Sequence, residues 1–252
     1  MVIVDLTVFI FGLVFGSFFN VCIYRLPLGM SVAFPPSHCP ACDHALSPLD
    51  LVPVASYLVL RGKCRYCGGR ISLWYPLVEL LTGIIFLLIY RRYGLSISSL
   101  YYIILASFLI IISYIDIDHG IIPDRLVLAG LAAGVAIQLL TAPRPLADAA
   151  LGFLAGGLPL LGLAVVSNGG MGGGDIKLAA MFGWYLGWKL TLLALFAGFL
   201  SGGVYGIALV LAGRRKLKGG TIPFGPFLAL GAMTALLFGQ EILVWYTGVF
   251  WG

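Results

Sequence analysis

The chain has 252 residues, 61% of them hydrophobic and only 10% charged, with a mean hydropathy of +1.06. Soluble domains run at roughly 45–50% apolar and about 25% charged, so a water-soluble globular enzyme and a disordered chain are both excluded. The formal net charge of +5 would point to nucleic acid only if the fifteen Lys and Arg formed one basic surface, and their positions argue otherwise.

The first apolar run extends from Val2 to Tyr24, interrupted by Asp5 and followed by Arg25. It lacks a basic n-region and a small-residue cleavage site, which reads as a retained membrane span with its N-terminus outside. Residues 25–74 follow, polar, rich in turn residues and holding four cysteines. The remainder is nearly continuous apolar sequence, with predicted spans at roughly 75–90, 97–115, 125–141, 149–166, 176–187, 189–212 and 224–248. One helix over 176–212 would overshoot the bilayer, so Gly187-Trp188-Lys189 is read as a tight turn between two spans. The 176–187 piece is short, and its lower end is expected to reach into the preceding glycine loop.

The predicted fold is thus an all-α integral membrane protein of about eight transmembrane helices. Its expected organisation is a first span at 1–24, a cytosolic four-cysteine loop domain at 25–74 and a seven-helix core at 75–252. With the N-terminus outside, eleven basic residues fall in inside loops: Arg25, Arg61, Lys63, Arg65, Arg70, Arg125, Lys177, Arg214, Arg215, Lys216 and Lys218. Arg91, Arg92, Arg144 and Lys189 fall outside. This is the asymmetry of the positive-inside rule. It leaves no basic, aromatic surface for nucleic acid.

Cys39-Pro40-Ala41-Cys42 and Cys64-Arg65-Tyr66-Cys67 form two C-x2-C pairs separated by 21 residues. Two intervening residues let both sulfurs of a tight turn face one centre, and two such knuckles make a tetrahedral four-sulfur site for structural zinc. In a reducing cytosol disulfides are the poorer reading, and a loop of this size has too little core to fold without help. His38 and His44 flank the knuckles and are candidates to hydrogen-bond the metal-binding sulfurs, while Cys22 lies within the first span and reads as a small core residue.

Four of the ten acids gather at the predicted cytosolic ends of spans: Asp116, Asp118, Asp124 and Asp175. Acids at membrane depth are costly and therefore functional candidates. Two carboxylates sharing a proton suit water activation: one deprotonates the water and the other, kept neutral, hydrogen-bonds a carbonyl. Helix-end capping is the competing reading, with Asp124 placed as an N-terminal cap of the next helix. Positions 116 and 118 point about 200° apart on a helix, so at most one faces Asp175, and periodicity leaves open which. Five of the six residues Gly169–Gly174 are glycine. Such a loop admits close backbone approach and an extended substrate strand.

These motifs together resemble the type IV prepilin leader peptidases, membrane aspartic proteases that are also N-methyltransferases. The resemblance runs nearly end to end. It rests on Gly16-Ser17-Phe18-Phe19-Asn20-Val21 through Arg25-Leu26-Pro27, the two cysteine knuckles, Gly62-Lys63-Cys64 and Tyr75-Pro76-Leu77-Val78-Glu79. It continues in Asp116 with Ile122-Pro123-Asp124, Gly172-Gly173-Gly174-Asp175 with Lys177, and Ile222-Pro223-Phe224-Gly225-Pro226. The resemblance implies that Asp116 and Asp175 are the catalytic pair. It implies cleavage of a short basic leader from prepilins or pseudopilins after a glycine, at the cytosolic face of the bacterial inner membrane. Methylation of the new N-terminal amine, typically of Phe, follows, with S-adenosylmethionine as donor and the cysteine loop tied to that step.

Two positions depart from the family pattern: Trp74 replaces a basic residue before Tyr-Pro, and Gly183-Trp184 replaces Gly-Ala. The competing functions are a peptidase without methyltransferase activity, a proton-coupled transporter and a zinc-bearing scaffold. A transporter would spread its acids through mid-helix positions, whereas these gather at helix ends beside one glycine loop.

Overall fold

The computed structural model describes residues 2–213 and 222–250, with only the backbone of Phe250. The basic run at 214–218, one of the strongest topological signals in the sequence, lies outside the described residues. The chain forms two compact units, Met1–Leu95 and Ser96–Gly252.

The first unit contains α1 (Val2–Arg25), α2 (Ala55–Val59) and α3 (Trp74–Tyr93), with a short 3-10 turn at Pro48–Leu51. Without water to satisfy the backbone, an apolar spanning segment closes its hydrogen bonds internally as a helix. Helix pairing in lipid then depends on close packing, which small residues permit. Gly12 and Gly16 bring α1 against α3: a Cβ on Gly12 would lie 2.7 Å from Gly83 Cα, and one on Gly16 2.6 Å from Glu79 Cα. The pair is antiparallel. Arg91, in the last turn of α3, donates to Asp5 at the start of α1 (2.8 Å), and Asn20 near the end of α1 donates to the Tyr75 carbonyl (3.1 Å).

The second unit comprises α4 (Ile97–His119), α5 (Asp124–Thr141), α6 (Leu146–Val166), α7 (Gly173–Leu186), α8 (Trp188–Leu211) and α9 (Gly225–Phe250). The break expected at Gly187-Trp188-Lys189 is there: Gly187 has φ +74°, the left-handed region that glycine adopts without strain. Asp148 and Arg144, paired at 2.8 Å, close over that joint, and Arg144 also donates to the Tyr102 hydroxyl. As expected, the short helix extends downward, beginning at Gly173. The glycine run is therefore only partly a loop, since Gly173 and Gly174 form the first turn of α7.

Helix α7 packs against α4, α5, α6, α8 and α9. Leu178, Ala179, Met181, Phe182 and Tyr185 are fully buried, and the Tyr185 hydroxyl donates to the Gly130 carbonyl (2.6 Å). Backbone meets backbone where α6 crosses α7, at Gly152 with Gly183 and at Gly156 with Ala179; α9 meets α8 the same way at Gly231 and Ala194.

Among the described residues eight helices have fourteen or more residues, and seven are long and apolar enough to cross a membrane. The eighth is α7, whose 14 residues rise about 21 Å at 1.5 Å per residue. Gly152→Ala should force α6 and α7 apart and cost about 1–3 kcal/mol, measured as a lower unfolding temperature in detergent. Gly162→Ala on the same helix meets nothing within 4 Å and should leave that temperature unchanged or raise it.

Candidate active site and metal cluster

In the first unit the polar segment after α1 is fastened from below. The buried Arg25 guanidinium donates to the carbonyls of Ser31 (3.0 Å) and Pro36 (3.4 Å). Glu79, buried on α3, accepts from the Val54 backbone N–H (2.7 Å). The two knuckles then repeat one geometry. Cys39 N–H donates to His44 O and Asp43 N–H to Cys39 O; Cys64 N–H donates to Gly69 O and Gly68 N–H to Cys64 O. Asp43 and Gly68, each four residues after the first cysteine of its knuckle, both take positive φ.

The four sulfurs of Cys39, Cys42, Cys64 and Cys67 lie within 4.8 Å of one another, and Cys39 Sγ and Cys67 Sγ are 3.9 Å apart. A zinc–sulfur bond of 2.3 Å implies tetrahedral sulfur–sulfur edges of about 3.8 Å, so the four donors fit a metal ion of that kind. Gly69 N–H donates to Cys67 Sγ (3.4 Å). The backbone N–H groups of Cys67 and Tyr66 bring the Cys64 thiol down to about 7, toward the thiolate form that metal binding requires.

Asp50, on the 3-10 turn, fastens the second knuckle to that turn. Its carboxylate accepts from the Ser47 hydroxyl (2.7 Å), Arg65 Nε (2.7 Å) and the Tyr66 hydroxyl (3.0 Å), and its side chain is 3% exposed. Ser47 and then Arg65 hold it well below the usual carboxylate range. The His44 ring stacks on Tyr66 with centroids 3.7 Å apart. His38 Nδ1 pairs with the Pro36 carbonyl (3.1 Å). None of the Arg25, Glu79, Asp50–Arg65 and Asp50–Tyr66 contacts is visible in the cysteine spacing, because each joins separate segments of the chain.

In the second unit the four clustered acids separate. Asp116, in the last turn of α4, is buried, whereas Asp118 is exposed. Asp116 Oδ2 accepts from the backbone N–H of Gly225, the first residue of α9 (2.9 Å). Asp175, in the first turn of α7, is half-buried, and its Oδ1 is buried and makes no hydrogen bond. Ile122 packs between the first turn of α7, which carries Asp175, and the start of α9, whose Gly225 meets Asp116. A Cβ on Gly174 would lie 2.8 Å from Ile122 Cβ, and one on Gly225 would lie 3.3 Å from Ile122 Cδ1.

Asp124 is not the cap expected from its position. It is the first residue of α5 after Pro123, makes no capping bond, and pairs with Lys177 at 2.8 Å. Lys177, on the neighbouring helix α7, offers that carboxylate a charge-assisted hydrogen bond. His119, the last residue of α4, is exposed. Gly225 is the residue missed as a partner of Asp116. It stood in a motif noticed for its own sake, 109 residues along the chain.

Fold and site define a multi-pass helical membrane protein with a four-cysteine metal-type cluster in one unit and, in the other, a buried Asp116 and a half-buried Asp175 at helix ends around Ile122. Two family models match: the bacterial peptidase A24 N-terminal domain over residues 10–93 and the type IV leader peptidase family over residues 103–207. Curated relatives named prepilin leader peptidase/N-methyltransferase match along most of the chain. That of Bacillus subtilis (strain 168) is 40% identical, over 94% of this chain and 96% of its own. That of Aeromonas salmonicida (strain A449) is 36% identical, over 95% and 92%, and that of Pseudomonas aeruginosa is 35% identical, over 92% and 89%. No solved structure matches. The chain belongs to the type IV leader peptidase family.

Asp50→Asn should loosen the second knuckle against the 3-10 turn. Hydrogen exchange of the Cys64–Gly69 amides should quicken several-fold, with the helices of the same unit unaffected.

Proposed function

We propose that Asp116 and Asp175 are the catalytic pair with which this enzyme removes the leader from prepilins or pseudopilins at the cytosolic face of the bacterial inner membrane. Membership in the family makes the chain a membrane peptidase with N-methyltransferase activity. The reading rests on one observation: a buried Asp116 held by the Gly225 N–H, and an Asp175 whose Oδ1 is buried without a hydrogen bond, flank the same Ile122, which packs against Gly225 and against Gly174 next to Asp175.

The two carboxylates differ in what surrounds them. The Gly225 N–H can only donate, so Asp116 Oδ2 is an acceptor, and that donor stabilises a carboxylate. Asp116 is the base that takes the water's proton. Asp175 carries the shared proton on its unbonded side and donates it to the scissile carbonyl oxygen. Hydroxide adds to the carbonyl carbon, the tetrahedral intermediate collapses, and the leaving amine takes back a proton as the C–N bond breaks. The substrate's hydrophobic helix lies in the membrane beside α4 and α7, with its leader junction extended along Gly169–Gly172.

The four cysteines hold structural zinc, whose role is to fold a segment with little core of its own. S-adenosylmethionine is the methyl donor for the amine that cleavage exposes.

Asp116→Asn and Asp175→Asn should each lower cleavage by at least about 10²-fold, the scale of a lost general acid or base. Asp118→Asn should cleave normally. Mass spectrometry of a co-expressed prepilin reads both the cut and the added methyl, and normal processing by either dyad variant would overturn the assignment.

The purified chain should carry one zinc per molecule. Its removal by a strong chelator should raise hydrogen exchange across 37–71 while leaving the α4–α9 helices protected.

A further inference from the structure

Three cations of the first unit are left unused by both the metal cluster and the helix packing. Arg61, Lys63 and Arg70 line an open cavity of about 500 Å³, together with Tyr57, Gly62 and the segment Ile71–Leu73. All three are exposed, and among the described residues none has an ion-pair partner; Arg65, close by in sequence, is taken by Asp50. Lys63 and Arg70 are paired across an antiparallel bridge. Residues directly opposite in such a pair project from the same face, where like charges repel. The turn holds them together through the Ile71 N–H to the Gly62 carbonyl (2.8 Å), with Gly62 at φ +68° against the Tyr57 ring. The fold thus concentrates positive charge where a bound anion would relieve the repulsion.

The position of the cavity says which anion. Arg70–Leu73 lead directly into α3, one of the membrane-spanning helices, which starts at Trp74. The start of a span is at headgroup depth, where Trp and basic residues gather. The surface beside the cations is apolar in a way that water does not favour: Val59 is 79% exposed, Leu58 68%, Leu73 64% and Trp74 50%. Cations flanked by exposed apolar side chains at that depth match a phospholipid, with phosphate in the cavity and acyl chains against the apolar rim.

We infer that Arg61, Lys63 and Arg70 form a binding site for the headgroup of an anionic phospholipid, seating the cysteine loop on the membrane surface. A neutral zwitterionic lipid offers its phosphate with a compensating cation and binds more weakly.

Native mass spectrometry of the full chain in detergent micelles tests this. The added probes are dioleoylphosphatidylglycerol, dioleoylphosphatidylcholine, inorganic phosphate and S-adenosylmethionine. The wild-type chain should retain phosphatidylglycerol at least about tenfold more tightly than phosphatidylcholine. The triple variant Arg61→Gln, Lys63→Gln, Arg70→Gln should lose on the order of 10²-fold of that affinity, since each basic residue near an anionic surface contributes a factor of about five. Lys189→Gln, in the other unit, should bind as wild type does. If the triple variant loses its metal and its exchange protection, Arg70→Gln alone carries the test, with an expected loss of about fivefold. Equal retention of the two lipids, unchanged affinity in the variants, or displacement of phosphatidylglycerol by equimolar phosphate or S-adenosylmethionine each overturns the assignment.

Discussion

The second unit depends on how closely its backbones can approach. Helix α7 has 14 residues, is packed against α4, α5, α6, α8 and α9, and carries Asp175 on its first turn. In lipid there is no hydrophobic gain from pushing two apolar helices together, so contact must come from packing and close approach. Gly152, Gly156 and Gly183 supply it for α6 and α7, and Gly231 with Ala194 supplies it for α8 and α9. The second of these contacts matters to the site as much as the first. It holds α9, and the first residue of α9 is Gly225, whose N–H meets Asp116. Both members of the carboxylate pair are therefore positioned by helices held through missing side chains.

The first unit meets a different demand, since a polar loop must stay ordered on two apolar helices. Buried polar groups on the helices reach up to its backbone: Arg25 to Ser31 and Pro36, Glu79 to Val54. The loop in turn closes on itself through Asp50 and the four sulfurs. A buried polar group is tolerated only when its hydrogen bonds are made. The costliest side chains in the helices are thus the ones that fix the loop. The division into Met1–Leu95 and Ser96–Gly252 parallels the two family models, which match 10–93 and 103–207. The metal-type cluster and the two acids accordingly belong to different units.

Much of this was legible beforehand because membrane sequences obey strong local rules. Span positions, the break at Gly187 and the downward extension of the short helix to Gly173 follow from apolar length and from glycine's access to positive φ. The cysteine cluster was readable because a C-x2-C turn sets its own geometry. The capping role expected of Asp124 failed for the opposite reason. Its partner, Lys177, sits 53 residues away on another helix, and a local preference yields to a nearby full charge.

The amino-acid sequence by itself determined that this chain spans a membrane, that its four cysteines converge, and that its acids collect at helix ends beside glycines. Each of these is set by interactions within a few residues or by the bilayer acting on every segment alike. Only the tertiary structure decided that Asp116 is the buried acid and Asp118 the exposed one, that Gly225 is the donor to Asp116, and that Asp50 ties the second knuckle to the 3-10 turn. It also gathered Arg61, Lys63 and Arg70 around one cavity. Those outcomes depend on which helix faces which, and that is governed by backbone approach at particular glycines and by hydrogen bonds between residues far apart in the chain.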